Sequence, residues 1–437
     1  MSTPRLSLCL IAKDEAAFLP GLLRSVQGWV DELILCDTGS ADATVAIAEA
    51  AGAVIVHHPW AGDFAAARNA SFGPATGDWI LVLDADERLA QGAGPALRAA
   101  LLLPIDCGLL PLHHAARLDA PEDAVRSGAA RLGEVARLPR LFRRSPDLRM
   151  RGRVHESVSD WLVGKRVAHV EAPLIHLGRV PEIVAARDKG ARNLALLQLR
   201  VAEEPEDPAV YAHLASELFT AGRGAEAVAV ALAGWEALKA ALGPRRRAGL
   251  PPQVVPLATL VVQILLQRGA LSEAEAALAF ARRHSLSPHP NLDHLEGELA
   301  RAQGEPARAR AAYQRARAAD GQAQATELLP GVTGLLALTG LASAALALGA
   351  PAEALEAATA PQRGPRPPLA LRLAEIEALA RLGQVGRARA LLAPFVAAEA
   401  RGAVLGDVAY LDRLLGGDRP PLGPSVAWAD PLRRRRA

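Results

Sequence analysis

Cysteine is scarce in this chain: Cys9, Cys36 and Cys107 are all that its 437 residues contain. The number is odd and the first two lie inside apolar runs, which excludes a disulfide framework and points to reduced, buried thiols in a reducing compartment. Net charge is scarce too. With 22% charged residues and a formal charge of +2, the two signs are mixed along the chain, so the overall electrostatics select no nucleic acid partner. The chain opens without a signal-peptide pattern, because the apolar run Leu6 to Ala12 is short and Lys13-Asp14-Glu15 follows it at once. Long hydrophobic runs are missing as well. The longest uncharged stretch, Leu328 to Ala352, is diluted by Gly, Ala, Thr and Ser and broken by Pro330 and Gly349, so it predicts a buried helix rather than a membrane span. The expectation is a cytoplasmic protein with no stable membrane insertion.

The chain does have length enough for at least two cores, at roughly 150 residues per domain, and one stretch organises its first half. From Gly77 to Glu87 it reads Gly-Asp-Trp-Ile-Leu-Val-Leu-Asp-Ala-Asp-Glu. Trp79 to Leu83 is a short apolar run after a turn at Thr76-Gly77-Asp78, the pattern of a buried parallel strand that delivers Asp84 and Asp86 at its exit. In extended chain, residues two apart face the same side about 6.6 Å apart, which suits one hard cation or one ligand between them. The other reading of Asp84-Ala85-Asp86-Glu87 is a solvated turn that caps the next helix.

Upstream, Leu6 to Ala12, Glu32 to Cys36 and Ala53 to Val56 also read as strands. Helices separate them: one carrying Phe18, Leu19, Leu22, Leu23 and Val26 and capped by Asp14, one from about Asp42 to Ala51, and one capped by Asp63. This alternation predicts a parallel sheet with right-handed crossovers. In the 3-2-1-4 order of nucleotide-binding sheets, Lys13-Asp14-Glu15, Asp37-Thr38-Gly39-Ser40 and Asp84-Ala85-Asp86 would line one crevice at the switch point. Further on, Leu101 to Leu112 suggests a strand that extends the sheet. Val135 to Phe142 and Arg153 to Val158 suggest a strand pair, Arg166 to Ala172 another strand, and Arg187 to Val201 a closing helix.

Leu8 to Glu15, Asp37-Thr38-Gly39-Ser40-Ala41-Asp42, Asp63-Phe64-Ala65-Ala66-Ala67-Arg68-Asn69 and Asp84-Ala85-Asp86 together resemble the family 2 glycosyltransferases, whose fold is GT-A. Arg140-Leu141-Phe142-Arg143-Arg144, Arg151-Gly152-Arg153-Val154-His155-Glu156 and Ile175-His176-Leu177-Gly178 narrow the likeness to the bacterial branch that includes SunS-like peptide glycosyltransferases. It spans about residues 5 to 197. Where many relatives have Lys-Asn-Glu, this chain has Lys13-Asp14-Glu15.

The resemblance implies a nucleotide-sugar donor, with a UDP-sugar as the default, and a Mg²⁺ or Mn²⁺ cofactor. Ala12, Asp14, Glu15 and Asp37 would border the base and ribose. Asp84 and Asp86 would hold the metal, completed by His176 or, second, by His155, and Asp86 would thereby count with the catalytic residues. Arg68 and Asn69 would border the donor, with Arg68 pairing with phosphate or buttressing Asp84. Glu156 is the candidate general base for an inverting transfer. Each residue has a plainer reading: Asp37 as a loop or cap carboxylate, Arg68 in a surface ion pair, the histidines as structural residues, and Glu156 in a salt bridge with Arg151 or Arg153.

After Glu203-Glu204-Pro205-Glu206-Asp207-Pro208 the chain turns to Ala and Leu at helical spacing. Glycines 222, 269, 304, 349 and 383 punctuate helix pairs at separations of 47, 35, 45 and 34 residues, two of which fit the 34-residue period of tetratricopeptide repeats. A plain Ala-rich bundle is the other reading. The expected architecture is therefore an α/β GT-A domain over residues 1–200, a tetratricopeptide-like all-α repeat domain over 201–415, and a flexible tail over 416–437 ending in Arg433 to Arg436. The expected function is metal-dependent transfer of a sugar to a peptide, protein or envelope-glycan acceptor, with the repeats as a surface for a protein partner or a second copy. The alternatives are a non-catalytic repeat scaffold with a decayed donor-binding domain, and a sugar nucleotidyltransferase. Against the latter, the first strand lacks the Gly-rich, Arg-containing loop that such enzymes carry.

Overall fold

In chain order, the first half folds as β1 (Leu6–Ala12), α1 (Leu19–Val26), β2 (Glu32–Asp37), α2 (Thr44–Ala50), β3 (Val54–His57), α3 (Phe64–Phe72), β4 (Trp79–Asp84) and β5 (Glu87–Leu89). It continues with α4 (Gly94–Ala100), β6 (Cys107–Ala115), α5 (Glu122–Ser127), β7 (Arg131–Arg143), α6 (Ser159–Leu162), β8 (Val167–His169), β9 (Leu174–His176), α7 (Pro181–Ala186) and α8 (Lys189–Glu203). The structure, a computed structural model, describes residues 3–186, 189–242, 254–285, 288–319, 329, 331–360 and 368–399. The tail with Arg433 to Arg436 lies outside the described residues, as do Leu328 and Pro330 of the long uncharged run.

Among the described residues nine strands form one sheet in the order β3-β2-β1-β4-β7-β6-β9-β5, with β8 beside β6. The first four are parallel and reproduce the expected 3-2-1-4 arrangement. β1, Ser7 apart, and β4 as far as Leu83 read as apolar runs because both faces are covered. Leu6, Leu8, Leu10, Leu81 and Leu83 enter one core cluster and Cys9, Ile80 and Val82 the other. All three cysteines are free and buried, and burial pushes the thiols of Cys9 and Cys107 up to about 12 and that of Cys36 up to about 11.

Register decides what lies at the edge. Ala12 pairs with Asp37 and Ile11 with Asp84, so β1, β2 and β4 end level and their following loops share one rim. β7 then runs antiparallel to β4, and β6 antiparallel to β7. The sheet closes through β9, parallel to β6, and β5, antiparallel to β9.

Several local expectations are corrected. Asp14 does not cap α1, which begins at Leu19 with Pro20 in its first turn; its carboxylate accepts from Ala41 N at 2.7 Å instead. Asp63 does cap α3, accepting from Ala66 N at 2.8 Å. β4 ends at Asp84, and Ala85-Asp86 is a turn into β5 rather than extended chain. Arg153 to Val158 is not a strand: Arg151 and Ser157 exchange backbone hydrogen bonds of 2.9 Å and close residues 152–156 into a loop.

The helical region follows as five hairpins among the described residues. They are α9 (Pro208–Thr220) with α10 (Gly224–Leu242), α11 (Val254–Gln267) with α12 (Leu271–His284), α13 (Pro290–Ala302) with α14 (Pro306–Ala318), α15 (Leu335–Ala347) with α16 (Pro351–Thr359), and α17 (Leu369–Arg381) with α18 (Val385–Glu399). Each punctuating glycine sits at the hairpin turn with φ between +72° and +78°, the left-handed helix end that glycine takes without Cβ strain. The chain divides into two compact units, one through α10 and the other from α11 onward. No described helix is long and apolar enough to cross a membrane.

Within the second unit, Tyr313 of α14 is fully buried and donates its hydroxyl to Glu298 at 2.6 Å. Its ring occupies the space that Gly297 of α13 and Gly340 of α15 leave open, since a Cβ at either would fall 2.4 Å or 2.6 Å from ring atoms. Gly340→Ala is therefore expected to destabilise this unit by about 1–3 kcal/mol through overpacking. Urea unfolding of the full chain checks this, and adding Tyr313→Leu should recover part of the loss.

Candidate active site

The aligned strand ends open into a cleft of about 760 Å³. Ile11 to Glu15 and Thr38 form one wall, Asp84 to Asp86 and His176 the floor, and Val154 to Glu156 with Trp60, Phe64, Arg192 and Asn193 the other side. Two loops of the first wall are laced together, Asp14 N to Ser40 Oγ at 3.0 Å and Glu15 N to Thr44 Oγ1 at 2.8 Å. Asp14 itself holds a left-handed backbone, φ 54°.

Arg68 is the centre of the floor. Its position on α3 faces the end of β4, and its side chain is only 3% exposed. Nη2 donates to Asp84 Oδ1 at 2.8 Å and to Glu156 Oε1 at 2.9 Å, while Nη1 reaches the Leu83 carbonyl at 3.4 Å. Arg140 of β7 approaches Asp84 from the other side, at 3.3 Å from Oδ2, and also binds Glu87 Oε1 at 2.5 Å. Burial alone would raise the Asp84 carboxyl, but the guanidinium groups of Arg68 and Arg140 hold it well below the usual carboxylate range. Glu87 behaves differently. Burial pushes it up to about 7 against the pull of Arg140.

Asp86 and His176 form a second pair, with Asp86 Oδ1 3.4 Å from His176 Nε2. The β5–β9 register places His176 opposite Glu87, and Leu177 N donates to the Asp86 carbonyl at 2.9 Å. Gly178 permits this approach, because a Cβ there would lie 2.1 Å from Asp86 Oδ2 and 2.7 Å from His176 Nε2. On the far side of the imidazole, His176 Nδ1 meets His114 Nδ1 at 2.8 Å. Burial lowers His114 to about 3, so its ring stays neutral and can accept. Either ring can supply the proton of this contact: with His114 as donor, His176 carries its proton on Nε2, facing the Asp86 carboxylate, and with His176 as donor its Nε2 keeps a lone pair for a cation.

Of the residues singled out from sequence, Ala12, Asp14, Glu15, Arg68, Asp84, Asp86, His155, Glu156 and His176 line this cleft, whereas Asp37 and Asn69 do not. Asp37 is buried and braces its own loop, accepting from Gly39 N at 3.2 Å and Ser40 N at 3.0 Å. Asn69 clamps the backbone of Met150 through two hydrogen bonds of 2.9 Å and 2.8 Å. The ion pair of Glu156 is made with Arg68; Arg151 pairs with Asp160 and Arg153 with Glu203. Arg68 does buttress Asp84. Sequence reasoning missed the parts played by Glu87, Arg140 and His114. Arg140 stood in a motif already noted, but His114 carried no local signal, since only the β6–β9 pairing brings it to His176.

Both oxygens of Asp84 are taken by guanidinium groups, and among the described residues no group of three or more His, Cys, Asp or Glu side chains is arranged to hold a metal ion. Asp86 with His176 remains as a two-residue donor set. A carboxylate and an imidazole together are donors that a divalent cation accepts, so these two residues would hold one.

Residues 7–101, which hold β1 to α4, match the family described as glycosyl transferase family 2. A TPR repeat-containing protein of Synechococcus elongatus is 40% identical over 49% of this chain and 51% of its own length. An uncharacterised glycosyltransferase of Rickettsia felis is 40% identical over 20% of this chain and 30% of its own. The glycosyltransferase SunS of Bacillus subtilis is 25% identical over 61% of this chain and 60% of its own. The chain thus spans about a third to three fifths of the length of these relatives.

Replacing Arg68 by methionine would leave Asp84 and Glu156 facing each other without their shared cation. Breaking a fully buried pair costs about 3–5 kcal/mol; with Asp84 38% exposed, a loss of about 2–3 kcal/mol is expected. The depressed folded-state Asp84 pKa contributes stability above its unfolded value near pH 4 and loses it as pH falls further. The difference between Arg68→Met and wild type, measured by urea unfolding, should therefore narrow below about pH 4.

Proposed function

We propose that the chain is a glycosyltransferase that moves a sugar from a nucleotide sugar, with a UDP-sugar as the default, to a hydroxyl or other nucleophile of a peptide, protein or glycan acceptor, with inversion. The observation that carries this reading is the meeting, at the level ends of β1, β2 and β4, of a family 2 domain's strand exits with Arg68, Asp84, Asp86 and Glu156 around one cleft. Its volume is within the range of cofactor-sized sites.

In this reading the wall formed by Ala12 to Glu15 and Thr38 receives the base and ribose. Asp86 and His176 would hold Mg²⁺ or Mn²⁺, which supplies countercharge to the diphosphate when bound. Arg68 keeps Asp84 and Glu156 side by side despite their like charge, with its Nη2 holding Glu156 Oε1. Glu156 takes the acceptor proton as the nucleophile forms a bond to the anomeric carbon. The bond from that carbon to the diphosphate oxygen breaks on the opposite face, and its electron pair leaves with the nucleoside diphosphate. Trp60, Phe64 and Arg192, which line the cleft and contact one another, would form the acceptor side. The hairpins from α11 onward provide an extended helical surface for a peptide or protein acceptor or for a partner.

The test is hydrolysis of a panel of nucleotide sugars by the purified chain with Mn²⁺ or Mg²⁺. UDP release from one sugar is expected, abolished in Asp86→Ala and lowered about 10²–10⁴-fold in turnover by Glu156→Gln with little change in KM. If no nucleotide sugar is hydrolysed or bound, the donor-site reading fails and the non-catalytic scaffold takes its place.

A further inference from the structure

The loop that presents Glu156 is held from outside the sheet. Residues 152–156 are closed by the Arg151–Ser157 bridge, Phe64 N donates to the Arg153 carbonyl at 2.8 Å and Arg68 holds Glu156, and a further set of contacts comes from helices that follow the α/β domain. Arg200 of α8 is 3% exposed and donates from Nη1 to the carbonyls of Val154 at 2.8 Å and His155 at 3.3 Å. Its other nitrogens are fixed by Glu204 at 2.7 Å and Asp207 at 2.9 Å, on the turn into α9. Gly152, at φ +96°, is the point where loop and guanidinium touch; a Cβ there would lie 2.4 Å from Arg200 Cζ.

Two further contacts continue the same attachment. Val154 is buried in a cluster with Leu196 and Leu197 of α8 and Val210, Leu214 and Leu218 of α9. His155 has the positive φ of 51° that a side-chain-bearing residue adopts only when its surroundings impose it. Its ring lies flat on His213 of α9, 4.1 Å between centroids and 5° between planes. Burial lowers both imidazoles, His213 to about 3, so the stacked rings are neutral and do not repel.

We propose that Arg200 and His213 are positioning residues for Glu156, and that α8 and the first helical hairpin are thereby a working part of the active site rather than a detachable repeat. The proposal rests on the reading of Glu156 as general base. Arg200 fixes the two carbonyls immediately before Glu156, and His213 fixes the strained residue beside it. Together they set where the carboxylate stands against Arg68. Neither side chain needs to touch donor or acceptor to act. The first unit of the fold, which runs through α10, is in this view the catalytic unit.

Two readouts on the full chain test it. The first needs no activity: amide hydrogen exchange at Ser157, whose N–H closes the loop, should quicken at least about tenfold in Arg200→Met and in His213→Leu, while His213→Phe, which keeps a flat ring, stays near wild type. The second uses hydrolysis of the nucleotide sugar that the wild-type chain turns over. Arg200→Met and His213→Leu should lower kcat by about 10–100-fold with donor KM within about twofold. In a Glu156→Gln background the same changes should cost almost nothing more, because they act through that carboxylate. Unchanged exchange at Ser157, or losses that add fully to that of Glu156→Gln, would overturn the proposal. A wild-type chain that hydrolyses no nucleotide sugar would instead overturn the functional reading, and the exchange experiment would still decide whether these residues hold the loop.

Discussion

A single buried guanidinium joins the two halves of the candidate site. Arg68 reaches Asp84 at the end of β4 and Glu156 on the 152–156 loop through the same nitrogen, so the sheet edge and the loop are placed by one interaction. Carboxylates this close repel in a poorly solvated cleft unless a cation stands between them. With that cation they become a fixed pair, and the loop has a defined seat. The level ends of β1, β2 and β4 supply the rest of the frame, since they bring the loops after Ala12, Asp37 and Asp84 to one rim.

Around this centre the charges are divided by task. Asp84, taken by Arg68 and Arg140, is held as a permanent anion that organises the floor. Asp86 lies one turn further on and faces His176, whose other ring nitrogen is engaged by a neutral His114. The first carboxylate is thereby tied to protein cations, and the second stands beside an imidazole. Gly178 is the steric condition for that second pair, and it lies in the same Ile175 to Gly178 segment that supplies the histidine.

The parts legible in the sequence are those set by local pattern. β1 through β4, the cap at Asp63 and the glycine-punctuated hairpins follow from runs of strand formers, a capping carboxylate and left-handed helix ends, each spelled within a few residues. The parts not legible depend on pairing at a distance. β5 and β9 are three residues each, too short to show a period, yet their register brings His176 to Asp86. Asp37 and Asn69 stand in motif positions, but their side chains turn to Gly39, Ser40 and Met150, a choice made by loop geometry rather than residue type. Arg153 to Val158 has strand-like composition and becomes a loop because Gly152 and His155 take positive φ. The repeat pattern likewise announced hairpins without revealing that α9 packs on Val154.

The most direct test of this account is a crystal structure of the full chain grown with UDP and Mn²⁺. The expected result is uracil beside Ala12 to Glu15 and Thr38, a metal ion bonded to Asp86 and His176 and to the diphosphate, and Glu156 still joined to Arg68. UDP bound away from the ends of β1, β2 and β4, or a metal ion that ignores Asp86, would contradict it.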